Sequence, residues 1–313
     1  MQEAIRNMAK IIHSLTILFL KGLSKLPFRI IYLLSDFLYV VVYYLAGYRK
    51  KVVYSNLRNS FPEKSASEID AIAKKYYRHF CDLIMESVKL PAMTEKELNE
   101  RLTLRGIEKT YTYADKGQSI VLIGMHYNNW EWSSTLQRFA RHQLLIVFNP
   151  LRNNPEMERY LLDARERFGS KTVAMNQTTR MLARYGREGR PTCLFLAADQ
   201  TPPRQSHFWT TFLNQETAFF SGPERIAIKT RQPVFLTHTV KTGRGKYLVN
   251  LVELFPEPEK VDPDTILLTY VDRLEKIIRE QPEFWLWSHR RWKHKRPEQI
   301  ALVPRAGAEH PVL

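Results

Sequence analysis

The sequence predicts an α/β fold, a central mixed sheet flanked by helices, with an N-terminal membrane-anchoring helical segment. Three observations carry this. Residues 119–125 (SIVLIGM) and 192–198 (TCLFLAA) are short unbroken apolar runs, each followed by a polar turn, as expected of strands buried on both faces. Residues 233–240 (PVFLTHTV) and 247–254 (YLVNLVEL) form a second kind of strand pair, joined by a KTGRGK hairpin turn. Residues 11–20 and 30–47 are apolar and bounded by Lys and Arg.

Taken in chain order, the first apolar run (IIHSLTILFL) lies between Lys10 and Lys21. No small-residue cleavage site follows it, so a removed signal peptide is not expected. The second run (IIYLLSDFLYVVVYYLAG) has about the length needed to cross a hydrocarbon core. Asp36 inside it would be costly in a true span. Three arrangements stay open: a single span, a helix in the interface with Tyr32, Tyr39, Tyr43 and Tyr44 at headgroup level, or a helix buried in the protein. The expectation is an anchor over residues 1–55, a main domain over 56–300 on the cytoplasmic side, and a flexible tail over 301–313.

Residues 56–62 (NLRNSFP) read as a connector. A helix is expected over 67–90, capped by Ser65 or Ser67, patterned by Ile69, Ile72, Tyr76, Tyr77, Phe80, Leu83 and Ile84, and ended by Pro91. Another helix follows Gly222-Pro223, with Ile226, Ala227 and Thr230 towards the core. The central sheet would have about six or seven strands.

Composition narrows the partners. Lys and Arg number 47 against 32 Asp and Glu, a net charge of +15 with a pI near 9.7. Such a surface suits polyanions: anionic lipid, acidic protein or nucleic acid. The two cysteines, Cys81 and Cys193, sit far apart in apolar surroundings, which points to buried small hydrophobes and not to a disulfide or zinc framework.

The strand over 119–125 delivers His126 to the carboxyl edge of the sheet, and Glu131 falls in the first turn of the following helix (WSSTLQRFA). Taking a proton from a hydroxyl needs a base, and imidazole supplies one near neutral pH. A carboxylate on the other ring nitrogen fixes the tautomer. The alternative is structural: Asn128 and Glu131 have capping-box spacing, and His126 would be a hydrogen-bonded turn residue. No GxSxG elbow is present, which argues against a serine hydrolase.

VLIGMHYNNWEW resembles the His-x4-acid motif of the lysophospholipid acyltransferase superfamily. The fuller likeness is to the bacterial lipid A biosynthesis acyltransferases, the lauroyl and myristoyl transferases, over nearly the whole chain. Its pieces are LPFRIIYLLSDFLYVVVYYLAGYRKKVV, NLRNSFPEKS, the His126 motif, LAADQTP, SGPERIAIKTRQPV and PEFWLWSHRRWKHKRPE, in that order. The resemblance implies His126 as general base and Glu131 as its orienting carboxylate. It implies a functional acid at Asp199 and an activity-requiring arginine at Arg165, with Arg152 and Arg167 as alternatives. The family's threonine-rich stretch before Gly-Pro is here Ala218-Phe219-Phe220-Ser221, which puts a hydroxyl role there in doubt.

From the residues alone, Asp199 also closes a strand, with turn capping before Pro202-Pro203 as the bland alternative. Arg165 lies on a helix with Glu158, Arg159, Glu166 and Arg167, where a solvated charge is ordinary. Residues 284–296 (FWLWSHRRWKHKR) mix cations and aromatics. That suits anionic headgroups, with indoles in the interface and cations on phosphates, and it also suits nucleic acid. The third reading is a core segment leading into a solvated tail. Under the lipid reading, Arg290, Arg291 and Lys293 are the candidate substrate contacts.

The resulting expectation is an enzyme that moves a fatty acyl chain from acyl carrier protein to a hydroxyl of a lipid A precursor. It needs no metal or diffusible cofactor, binds membrane and anionic lipid and not nucleic acid, and sits at the cytoplasmic face of a bacterial inner membrane. The alternatives are a glycerolipid or aminolipid O-acyltransferase, and a non-enzymatic membrane-surface or nucleic-acid-binding protein.

Overall fold

The computed structural model describes residues 2–151 and 154–305. Its strands are β1 (Leu102–Arg105), β2 (Ile120–Gly124), β3 (Gln143–Phe148), β4 (Lys171–Ala174), β5 (Thr192–Ala197), β6 (Trp209–Phe212), β7 (Gln215–Ala218), β8 (Val234–Gly243) and β9 (Lys246–Phe255). β6 and β7 form a two-stranded sheet of their own; the remaining seven form one mixed sheet in the order β1-β9-β8-β2-β5-β3-β4. Neighbours from β8 to β4 run parallel, β9 turns back antiparallel to β8, and β1 is parallel to β9.

β2 is buried along its whole length, which is why its sequence is an unbroken apolar run. Its alternate residues serve two cores. Val121 and Ile123 join Val234 and Leu236 on one face, and Ile120 and Leu122 join Cys193 and Phe195 on the other. Cys81 and Cys193 are both free and buried, and burial raises each thiol to about 12, so they act as small hydrophobes.

The helices are α1 (Gln2–Ser24), α2 (Phe28–Tyr39), α3 (Lys50–Ser60), α4 (Ala66–Lys89), α5 (Glu95–Asn99), α6 (Tyr111–Asp115), α7 (Pro155–Glu166), α8 (Thr178–Arg187), α9 (Pro223–Thr230) and α10 (Pro263–Glu280). A π-helical turn over Val40–Leu45 continues α2. α4 starts in a capping box: Ser65 Oγ accepts from the Glu68 amide, and the Glu68 carboxylate accepts from the Ser65 amide at 2.8 Å. Within α9, Ala227 is buried while Thr230 is exposed, its hydroxyl spent on the Ile226 carbonyl.

Residues 56–60 of the expected connector are instead the last part of α3, and only Phe61 and Pro62 lie beyond it. Val53, Asn56, Leu57 and Ser60 are buried at helical spacing. The polar look of NLRNS misleads because Asn56 works inside, donating to the carbonyls of Trp287 (2.8 Å) and His289 (3.0 Å).

α2 is two-faced. Phe28, Ile31, Ser35 and Tyr39 are buried, and the helix packs along α4. Ile30, Leu33 and Phe37 of α2 and Val40 of the π-helical turn are exposed, and so are Ile12, Leu15, Leu18 and Phe19 of α1. Phe28–Leu45 is the one candidate membrane span among the described residues. Asp36 is not a bare charge in that helix, since Arg244 donates to both its oxygens (2.6 and 3.1 Å). Arg244 and Gly245 form the β8–β9 turn; Gly245 has φ +67°, and a Cβ there would meet the Tyr32 hydroxyl at 1.6 Å.

At the other end of the chain, the Val303 amide donates to Trp209 O (2.8 Å), and Arg305 Nε donates to Asp272 (2.7 Å). Residues 306–313 of the expected tail lie outside the described residues.

Candidate active site

Strand register builds the centre of the site. β2 and β5 are parallel neighbours with Gly124 opposite Ala197. Two residues beyond each of these positions stand His126 and Asp199, so the two side chains leave the same sheet edge side by side.

They are bonded twice. His126 Nδ1 donates to Asp199 Oδ1 at 2.7 Å, and the His126 amide donates to Asp199 Oδ2 at 2.9 Å. Trp285 Nε1 is the carboxylate's third donor, bonded to Oδ2 at 2.8 Å. Burial works against a charge on Asp199, but His126 and these hydrogen bonds outweigh it and hold the carboxyl below its usual range. With Nδ1–H committed to Asp199, the lone pair sits on Nε2. The ring is 20% exposed while Asp199 is 1% exposed, and Trp130 leans on the imidazole at 5.3 Å between centroids. This arrangement can take a proton from a hydroxyl delivered to the sheet edge.

Glu131 therefore does not have the place expected for it. The carboxylate on His126 is Asp199, and Glu131 faces away to Arg165, which donates from Nε (3.0 Å) and Nη2 (2.8 Å) in a bidentate pair. Both partners are about a quarter exposed. Arg165, near the end of α7, has two of its donor groups held by Glu131, which ties α7 to the turn after β2. The capping reading is also displaced: Asn129 Oδ1, not Asn128, accepts from the Trp132 amide (3.2 Å). The expected α-helix after Glu131 is a 3₁₀ run over Glu131–Arg138. Ser134 and Thr135 bond back to the carbonyls three residues earlier, at 3.0 and 2.7 Å, which suits the tighter turn.

The other candidates separate by burial. Arg167 donates to the carbonyls of Leu90 and Met93, joining α7 to the segment after α4. Arg152 lies outside the described residues. Arg290 and Lys293 are exposed. Arg291 is 2% exposed, donates to Ala218 O at 2.5 Å, and lies over the Phe219 ring. Burial lowers its pKa to about 10. It is part of the core under the site and is not placed to meet a substrate.

The basic-aromatic segment likewise turns inward. Trp285 and Trp287 are buried, so these indoles do not sit at a lipid interface. Phe284 closes a 3₁₀ turn over Pro282–Phe284, Trp285 bridges to Tyr127, and the rest of the segment is a chain of turns clamped to the site. Leu286 donates to His126 O (3.1 Å), and Asn128 donates to Phe284 O (3.0 Å). His289 Nε2 accepts from the Thr201 amide at 3.1 Å, and burial with Arg291 lowers its pKa to about 4, so it stays neutral. Trp285, His289 and Asn56 were not singled out from sequence. Their side-chain partners lie more than 80 residues away in Asp199 and Thr201, or in carbonyls of the C-terminal segment, and no local pattern encodes that.

A mixed sheet with a carboxylate-held imidazole at its edge, beside an outward apolar helix, suits a base that takes a proton from a hydroxyl near an apolar surface. A family model described as bacterial lipid A biosynthesis acyltransferase matches residues 1–294, and the chain belongs to that family. Relatives agree on acyl transfer and differ in acceptor. The lipid A biosynthesis lauroyltransferase of Escherichia coli (strain K12) is 25% identical over 286 residues, covering 88% of this chain and 89% of that one. The E. coli palmitoleoyltransferase of lipid A biosynthesis is 20% identical over 78% of this chain and 79% of its own length. A phosphatidylinositol mannoside acyltransferase of Mycolicibacterium smegmatis is 26% identical over 66% of this chain and 67% of its own length.

Proposed function

We propose that this acyltransferase moves a fatty acyl chain from acyl carrier protein to a hydroxyl of a lipid A precursor, with His126 as general base. The observation that carries the reading is the His126–Asp199 pair, which leaves Nε2 to accept a proton at the sheet edge. The acceptor hydroxyl gives its proton to Nε2 as its oxygen attacks the thioester carbonyl. The C–O bond forms, the C–S bond breaks, and the imidazolium returns the proton to the leaving thiolate. Asp199 fixes the tautomer and stabilises the imidazolium. Glu131 and Arg165 act as a pair that shapes the turn carrying His126.

The lipid A acceptor is supported by the family and by the E. coli relative that spans most of both chains. A glycolipid acceptor of the phosphatidylinositol mannoside kind is the second reading, supported by the mycobacterial relative. The acidic donor protein would be drawn by the net charge of +15. Exposed Arg290 and Lys293 are the proposed contacts for an anionic headgroup. The outward residues of α1 and α2 would rest against the cytoplasmic face of the inner membrane, with α2 lying along the interface because its other face is occupied by α4.

Mass spectrometry of lipid A from cells with the protein, without it, and with His126→Ala tests the reading. One acyl chain should appear with the wild type and be missing in both other cases. Unchanged lipid A in the wild type, with a new acyl chain on an inositol mannoside in a mycobacterial host, would move the assignment to the second acceptor. Full acylation by His126→Ala would remove the proposed base.

A further inference from the structure

A buried carboxylate outside the His126–Asp199 pair holds the catalytic turn. Glu86, in the last turns of α4, is 0% exposed. Its Oε2 accepts from Asn129 Nδ2 at 2.6 Å and from the Tyr247 hydroxyl at 2.8 Å; its Oε1 accepts from the Tyr32 hydroxyl at 2.9 Å. Four elements thus meet on one side chain: α4, the turn after β2, strand β9 and the outward apolar helix α2. Trp132 Nε1 also points to the Glu86 carbonyl at 3.5 Å.

Asn129 is the link to the chemistry. It stands between His126 and Glu131, and its remaining side-chain atom, Oδ1, accepts from the Trp132 amide at 3.2 Å. The turn around it is strained, since Asn128 has φ +51°. A buried carboxylate is costly, and an apolar residue of similar size would stabilise the same space more. Its donors are all neutral, so it is not half of an ion pair. Burial raises the carboxyl to about 7.

We infer that Glu86 is a positioning residue that fixes the His126–Glu131 turn through Asn129 and braces it against α2 through Tyr32. The inference rests on the acyl-transfer reading of the site. Asn129 cannot shift without leaving Glu86 and releasing the Trp132 amide, so the loss of Glu86 loosens the turn on which both His126 and Glu131 depend. Neither side chain touches the reacting atoms.

The chemistry of the bonds selects the variants. Glu86→Gln can keep all three contacts: its oxygen accepts from Asn129 and Tyr247, and its amide donates to a reversed Tyr32 hydroxyl. Glu86→Met keeps the volume and loses every acceptor. Asn129→Ala removes only the turn's side of the contact and guards against a Glu86→Met protein that does not fold. The full-length protein in detergent is followed by amide hydrogen exchange over residues 128–132 and by kcat and KM for acyl transfer.

For Glu86→Met and Asn129→Ala, exchange in the turn should rise about tenfold or more. Their kcat should fall on the order of tenfold to a hundredfold with KM within about twofold. Glu86→Gln should stay within about threefold of wild type in both readouts. Wild-type exchange and kcat in Asn129→Ala, or a Glu86→Gln protein as impaired as Glu86→Met, would overturn the inference. Absence of acyl transfer by the wild type would instead sink the functional reading, and the exchange result would then decide this inference alone.

Discussion

Two carboxylates flank the catalytic turn, and they live in different worlds. Asp199 is 1% exposed and accepts three hydrogen bonds, two from His126 and one from Trp285. Glu131 is nearly a quarter exposed and holds a single guanidinium in a bidentate pair. A charge in the first setting interacts strongly with the ring beside it, because little water screens it. A charge in the second is partly screened, and its value lies in geometry. The difference assigns chemistry to the sheet edge and architecture to the rim. It also separates motif from mechanism: the His-x4-Glu spacing marks the turn, while the carboxylate on the imidazole comes from another strand.

The largest effect that can break this comparison belongs to Asp199→Asn. An amide there presents an N–H to Nδ1, forces the proton to Nε2 and abolishes the base. The kcat of acyl transfer should fall on the order of a thousandfold, with KM changing much less. A variant that keeps more than about a tenth of wild-type kcat would contradict the assignment.

Glu131→Gln should cost less, about tenfold to a hundredfold in kcat, because it loosens the pair with Arg165 and leaves the His126–Asp199 bonds in place. Combining it with Arg165→Ala should cost little more than the worse single variant, since both remove one interaction. Additive losses in the steady-state rates would show that the two residues act separately.

The smallest effect concerns Glu86 and pH. Its folded-state carboxyl is raised from 4.5 to about 7, chiefly by burial, with Asp82 adding and Tyr247, Tyr32 and Lys241 opposing. A raised acid contributes stability that is complete below the unfolded value and lost as pH climbs through the folded one. Glu86→Gln does not titrate. The melting temperature of Glu86→Gln minus that of wild type should therefore rise by roughly 3 °C between pH 5 and pH 8. A constant difference across that range would place the charge elsewhere.

Much of the scaffold was legible in the chain. SIVLIGM and TCLFLAA are β2 and β5 because strands buried on both faces leave no polar alternation. The hairpin of β8 and β9 and the capped helix α4 were also readable, since their signals are local. The site was legible only in part. His126 and Asp199 could each be placed at a strand's end, but their bond follows from the register of β2 on β5, which no local pattern states. The His-x4-acid resemblance implies the orienting role for Glu131, but the spacing of a motif does not state which carboxylate the imidazole meets. NLRNS looked like a loop because the Asn that satisfies buried carbonyls has the same letter as one that faces water. FWLWSHRRWKHKR looked like a lipid-facing patch because composition does not reveal that Trp285 and Trp287 point inward.

The most direct test of the central claim is the tautomer of His126, read by nitrogen-15 NMR of the imidazole at a pH where the ring is neutral. In the wild type and in Glu131→Gln the proton should sit on Nδ1, and in Asp199→Asn it should move to Nε2. A ring that changes tautomer in Glu131→Gln and keeps it in Asp199→Asn would contradict the account.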